Sequence, residues 1–213
     1  MQNTVYDPQA FHALPHIGSA AARFRNSDGD TLVSSTFQDL FIRHKMDRVF
    51  GLSLLHRHFP LSGDERLVEY HGTSVPWKVD DFTRYIKPAS WLLTTDGAVS
   101  PYEFYYSLAE DGPRLDVKDP DQQAFLEEFA QVLSEKRIHG LFGLCRYPGD
   151  DFKGRVEITQ GRSNINLKFE DVFSLRDLDL SLDFTNGSHL VPLKPQCKDV
   201  KRSLVFLPTA GEF

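Results

Sequence analysis

The sequence predicts an α+β fold: a curved antiparallel sheet or barrel with two packed helices, made from an internal duplication of a helix–strands half-domain. Three observations predict it. First, Phe37 to Leu52 (FQDLFIRHKMDRVFGL) aligns without a gap on Phe129 to Leu144 (FAQVLSEKRIHGLFGL), 92 residues later. Second, each segment opens with an apolar stripe at helical spacing and closes on Phe-Gly-Leu. Third, each is followed by apolar runs around an Asp-Gly or Asn-Gly pair, which signals hairpins. A double hot-dog or a duplicated half-barrel satisfies this pattern, an analogy that implies no activity.

Residues 1–30 are weakly patterned and read as an N-terminal arm. Residues 31–213 read as one domain of two repeats, 31–115 and 119–207. In the first repeat Phe37, Leu40, Phe41 and His44 share one helical stripe, with Ser35 and Gln38 at capping-box spacing. A short strand follows at Phe50-Gly51-Leu52. A turn at Ser62-Gly63 then leads into a strand through Val68-Glu69. Trp91-Leu92-Leu93 and Tyr102-Phe104-Tyr106 flank Asp96-Gly97 as a hairpin. Residues 108–120 read as the linker between repeats.

The second helix has Asp119 as N-cap, Pro120 at its first position and Gln122 closing a box. Phe125, Phe129, Val132 and Leu133 form its stripe. Phe142-Gly143-Leu144 begins the matching strand. Val156-Glu157 aligns with Val68-Glu69, so Glu69 has a counterpart in Glu157. Leu178-Leu180-Leu182 and Leu190-Val191-Leu193 flank Asn186-Gly187 as the matching hairpin. Ser203 to Leu207 reads as a last strand.

Composition excludes several classes. The 213 residues carry a net charge of −6, and lysines and arginines are interspersed with acids, so a nucleic-acid partner is not expected. No apolar run reaches membrane-spanning length, and the first residues lack a secretory pattern. The two cysteines, Cys145 and Cys197, have no metal or disulfide spacing, which suits a reducing, cytoplasmic setting. The 17 phenylalanines suit a dry core, and also a pocket for a greasy ligand.

The repeats differ at one informative place. Ser53 to Pro60 of the first repeat contains His56-Arg57-His58, and the second repeat has only Cys145-Arg146-Tyr147-Pro148. Side chains alternate along an extended chain, so His56 and His58 share a face. Glu69 and His71 share another. A hairpin turning at Ser62-Gly63 sets His56 opposite Glu69 and brings His56, His58, Glu69 and His71 together. Such a set suits acid–base catalysis without an organic cofactor. It also suits one divalent metal ion. A solvated polar hairpin face is the plainer alternative. Arg57, Tyr70, Trp77 and Trp91 are the candidate binding residues.

The run from Val49 to Phe59, followed by Leu67-Val68-Glu69-Tyr70 and Pro76-Trp77, resembles small uncharacterised proteins of filamentous fungi. The resemblance implies only that the His-Arg-His stretch is a family feature. The functional expectation is a pocket for a largely apolar small molecule, used by an isomerase, cyclase or hydrolase with His/Glu acid–base chemistry. A non-enzymatic protein-interaction module and a metal-dependent enzyme with a His/Glu site are the alternatives. Assembly as a homodimer stays open.

Overall fold

The computed structural model describes residues 6–78, 84–94, 97–109, 115–152, 155–168, 200–201 and 205–206. The chain begins with two helices, α1 (Pro8–Ala13) and α2 (Ile17–Asn26). A continuous helical stretch follows: α3 (Gly29–Thr31), a π-helical turn (Leu32–Phe37) and α4 (Gln38–Arg43). Then come β1 (Phe50–Leu54), β2 (Glu65–Tyr70), β3 (Thr73–Lys78), β4 (Ile86–Leu93) and β5 (Val99–Tyr106). Helix α5 (Pro120–Glu135) leads to β6 (Phe142–Arg146), β7 (Arg155–Gln160), β8 (Ser163–Lys168), β9 (Val200–Lys201) and β10 (Val205–Phe206).

The described strands form one sheet in the order β10-β1-β6-β4-β5-β2-β3-β8-β7-β9, curled into a half-barrel. Among the described strand pairs, β2 and β5 are parallel and the others are antiparallel. The expected α+β class with an antiparallel-rich curved sheet is therefore what the chain adopts. The β4–β5 hairpin forms across residues 94–98 as the turn signal predicts, with Leu93 opposite Val99. The expected hairpin around Asn186-Gly187, and Cys197, lie outside the described residues.

Helices α2, α4 and α5 cover one face of β1, β6 and β4. Phe37, Phe41, Phe50, Phe125, Phe129 and Phe142 are fully buried there, and their rings meet in edge-to-face, tilted and stacked pairs. Each such ring contributes roughly 2–3 kcal/mol of burial. These six phenylalanines thus fill the core beneath the helices. Alternation places Leu52, Leu144 and Trp91 in this core and turns Ser53, Cys145 and Ser90 to the other, concave face.

The described residues of the N-terminal arm, 6–30, pack onto the rest of the chain: Phe11, Leu14, Ile17, Ala20, Ala21 and Phe24 are buried, with Phe11 and Leu14 packed on Leu55, Phe59 and Leu61. Two local expectations are corrected. Ser35 is not a cap, because helix already precedes it, and its hydroxyl donates back to the Thr31 carbonyl. Asp119 and Pro120 do start α5, with the Asp119 carboxylate accepting from the N–H groups of Asp121 and Gln122. Gln122, however, accepts from the Asp116 N–H at 2.9 Å rather than closing a box on the cap.

Both long helical segments end alike. Lys45 (φ 58°) and Arg137 (φ 56°) each adopt the left-handed region. Met46 N–H donates to the Phe41 carbonyl at 2.8 Å, and Ile138 N–H to the Leu133 carbonyl at 2.9 Å. These are paired Schellman caps, closed on non-glycine residues. No helix among the described residues is long and apolar enough to cross a membrane.

Candidate functional site

Past β1 the chain leaves the sheet and bends at His58-Phe59. Leu55 N–H donates to the Leu141 carbonyl at 2.9 Å, and Arg57 N–H donates to the Pro15 carbonyl at 2.9 Å. His16 and Arg57 form an isolated parallel bridge. The junction of α1 and α2 therefore anchors the backbone between the two histidines, and His56 and His58 meet on the same side, as their spacing predicts. Both are buried, at 4% and 5% exposure.

The carboxylate that meets them is Glu157 of β7, itself 6% exposed. His56 Nε2, His58 Nε2 and Glu157 Oε2 form a triangle with sides of 3.2, 3.0 and 3.4 Å. The outer ring nitrogens fix the tautomers. His56 Nδ1 lies 2.8 Å from the Leu54 carbonyl, which only accepts, so this nitrogen carries the hydrogen. His58 Nδ1 lies 3.1 Å from the Thr159 hydroxyl, which donates onward to Asn164 Oδ1 at 3.2 Å. His58 Nδ1 is therefore also the protonated nitrogen. In the neutral rings both Nε2 lone pairs face the carboxylate, and three acceptors converge with no hydrogen among them. A shared proton or a cation relieves that arrangement.

The separations suit a cation. Metal–ligand bonds of 2.0–2.1 Å place tetrahedral ligands about 3.3 Å apart and octahedral neighbours about 3.0 Å apart. These three atoms are the group among the described residues with ligand spacing for a metal ion. Each histidine also donates its other N–H to a fixed acceptor, the support metal-bound imidazoles usually have.

The cluster lies at the wall of a cavity of about 290 Å³ on the concave face. Ser53, Ser90, Tyr102, Glu103 and Cys145 line it beside the cluster, and Asn164, Asn166, Arg146 and Arg155 line it further out. Glu103 accepts from the Ser90 hydroxyl at 2.9 Å. Burial pushes the Glu103 carboxyl up, the Glu157 charge adds to this, and the two histidines only partly oppose it. Burial also acts against ionised Glu157, but hydrogen bonds and charge from His56 and His58 outweigh it and hold that carboxyl well below its usual range. Burial disfavours the cationic form of His56, yet Glu157 and then Glu103 raise its pKa overall. The two carboxyls are thus driven in opposite directions, the pattern that separates an anion from a proton carrier. Burial pushes the Cys145 thiol up to about 12, so it is an inert small apolar group rather than a nucleophile.

The other candidates are distributed differently. Glu69 lines the cavity but pairs with Arg155 at 3.4 Å, not with His56. The expected turn at Ser62-Gly63 forms, with the Glu65 N–H donating to the Ser62 carbonyl at 3.0 Å, but it does not join paired strands: β2 pairs with β3 through a tight turn at His71-Gly72 (φ 48° and 79°), while β1 pairs with β6 and β10. His71 is exposed in that turn and reaches only the cavity rim, beside Tyr70, which is 53% exposed. Of the expected binding residues, Tyr70 alone lines the cavity. Arg57 points away from the histidines, Trp77 stacks on Tyr106, and Trp91 is buried in the helix-side core.

Sequence reasoning missed Glu157 and Glu103. Glu157 was visible as an acid in an apolar strand, but its alignment with Glu69 favoured a structural role. The strands correct that alignment: β2 and β7 each run six residues into a two-residue turn, which sets Glu157 level with Leu67 and Glu69 level with Thr159. No protein-family model, curated protein or solved structure matches the chain.

Proposed function

We propose that this cavity is the active site of a metal-dependent enzyme acting on a small polar molecule. His56 Nε2, His58 Nε2 and Glu157 Oε2 bind one divalent ion, and Glu103 serves as the proton carrier beside it. The observation that carries the reading is the 3.0–3.4 Å triangle of three acceptor atoms with both histidine tautomers fixed from behind. Two histidines and a glutamate leave positions open on the ion, and a water bound there ionises near neutral pH. Hydrolysis is the reaction class this favours. The cavity lining is richer in hydroxyl, amide and charged groups than a largely apolar ligand requires.

The test is to titrate chelator-treated protein with Zn²⁺ and, separately, with Co²⁺. The expected result is one equivalent bound, visible d–d absorption of the cobalt form, and at least tenfold weaker binding in His58→Ala and Glu157→Gln. Failure to bind either ion stoichiometrically overturns the reading.

A second reading needs no ion. The raised His56 and depressed Glu157 describe an ion pair holding one proton, which supports acid–base catalysis by His56 with Glu103. Protein that stays metal-free and active, and loses turnover in His56→Ala, selects this reading.

The frame itself we read as a duplicated half-barrel. What supports this is that repeat equivalents meet: Leu52 pairs with Leu144 across β1 and β6, and Ser74 with Asn164 across β3 and β8. The two Schellman caps occupy equivalent positions as well. On this reading one half supplies the histidines and the other supplies Glu157.

A further inference from the structure

Among the charged groups lining the cavity, most are already matched. Arg155 pairs with Glu69, and Glu157 pairs with the two histidines. Arg146 is the exception. It follows Cys145 at the end of β6, is half-buried, and sits over the Tyr105 ring with its guanidinium carbon 3.8 Å from the centroid. Its Nε is buried and has no hydrogen-bond partner, and no carboxylate among the described residues lies within ion-pair distance. A buried guanidinium N–H left without an acceptor is costly, and the aromatic face beneath it supplies none.

The remaining acid, Glu103, accepts from the Ser90 hydroxyl at 2.9 Å. On the metal reading, the ion supplies a second cationic anchor beside Arg146. Tyr70, Tyr105 and Tyr106 wall the same space. These rings offer flat surfaces rather than further charge.

We infer that the cavity takes a small organic carboxylate, with the carboxylate on the guanidinium of Arg146 and the rest of the molecule directed along the tyrosine wall toward the histidines. A carboxylate fits better than a phosphate, because one guanidinium with two forward donors matches two in-plane oxygens. The cavity's described lining offers no glycine-rich loop or helix N-terminus to cradle a third oxygen. The inference rests on the metal reading for the second of its two anchors, whereas Arg146 stands independently of it.

The experiment uses the full chain, with and without loaded Zn²⁺, and titrates benzoate, neutral benzamide and phenyl phosphate by calorimetry. The expected result is saturable benzoate binding, at least tenfold weaker binding of benzamide, and at least tenfold loss of benzoate affinity in Arg146→Met. Arg146→Lys, which keeps the charge but not the fork, recovers only part of the affinity. Circular dichroism and zinc stoichiometry of each variant establish that it folds. Zinc loading together with benzoate binding no better than benzamide, or indifferent to Arg146→Met, overturns the inference and leaves the metal site standing. Arg146-dependent benzoate binding by protein that takes no zinc upholds the inference and removes the metal reading. Tighter binding of phenyl phosphate than of benzoate overturns the choice of carboxylate.

Discussion

His58 Nε2 lies 3.0 Å from Glu157 Oε2, although the two residues come from opposite halves of the chain. Neither the helices nor any local turn brings them together. The curl of the sheet does, with β1 and its extension toward one side of the half-barrel and β7 toward the other. The contact is reinforced from behind by the path from His58 Nδ1 through Thr159 to Asn164.

That path gives a first prediction. Thr159→Val keeps the shape of the side chain and removes the acceptor for His58 Nδ1–H. Loss of such a supporting partner weakens a metal site by about 10–100-fold. Competition against a chelating dye measures it, and the expected outcome is weaker zinc binding with an unchanged one-to-one stoichiometry.

Gly143 gives a second. A Cβ there meets the Trp91 carbonyl at 2.5 Å and Leu55 Cδ2 at 2.7 Å. The first contact is with backbone, so β4 or β6 has to move. Gly143→Ala is expected to destabilise the protein by roughly 1–3 kcal/mol, the usual cost of forcing atoms into a packed interior. Urea denaturation checks this. The displacement of Leu55, next to His56, also predicts weaker metal binding.

The packing of α1 gives a third. Phe11 is 1% exposed against Leu55, Phe59 and Leu61, the residues that flank the histidines. Phe11→Ala removes a large buried ring and is expected to cost about 3–5 kcal/mol. If the packing of α1 anchors the histidine stretch, hydrogen exchange at the Arg57 N–H, which donates to the Pro15 carbonyl, accelerates in this variant more than exchange in the β2–β3 hairpin. Equal acceleration at both places counts against that role.

Acid sensitivity gives a fourth. Hydrogen bonds from Arg162 and from the Ser62 N–H, the latter at 2.8 Å, hold the Glu65 carboxyl down to about 2 from an ordinary value of 4.5. Since the folded pKa is depressed, the stabilisation is complete above about 4.5 and is lost as pH falls toward 2. Denaturation profiles between pH 6 and pH 2, about the usual working range for such titrations, are expected to fall less steeply for Glu65→Gln than for the natural protein.

The sequence made some of this legible and concealed the rest for physical reasons. The Phe-Gly-Leu strands, the α5 cap and the β4–β5 hairpin rest on local chemistry, and they formed where that chemistry indicates. The alternation of His56 and His58 is equally local. Glu157 depends on which strands become neighbours, and no spacing within one strand records that. The expected pairing of His56 with Glu69 fails for the same reason: the turn at Ser62-Gly63 forms but joins no paired strands, and β2 turns back at His71-Gly72 onto β3. The packing of the N-terminal arm is not legible for lack of length. Helix α1 has only six residues, too few to show a full apolar period, yet Phe11 and Leu14 stand three apart and both are buried.

The distance in sequence between His58 and Glu157 has a consequence for how the protein matures. During synthesis the two histidines and the helices that hold them emerge early, while the carboxylate arrives with the third quarter of the chain. Until β7 docks, the imidazoles have their backing acceptors only in part, since Thr159 and Asn164 arrive later still. The triangle is consequently a signature of a finished sheet. A chain halted before β7 has the histidines but not the site, and capture of an ion by all three atoms reports that the two ends of the sheet have come together.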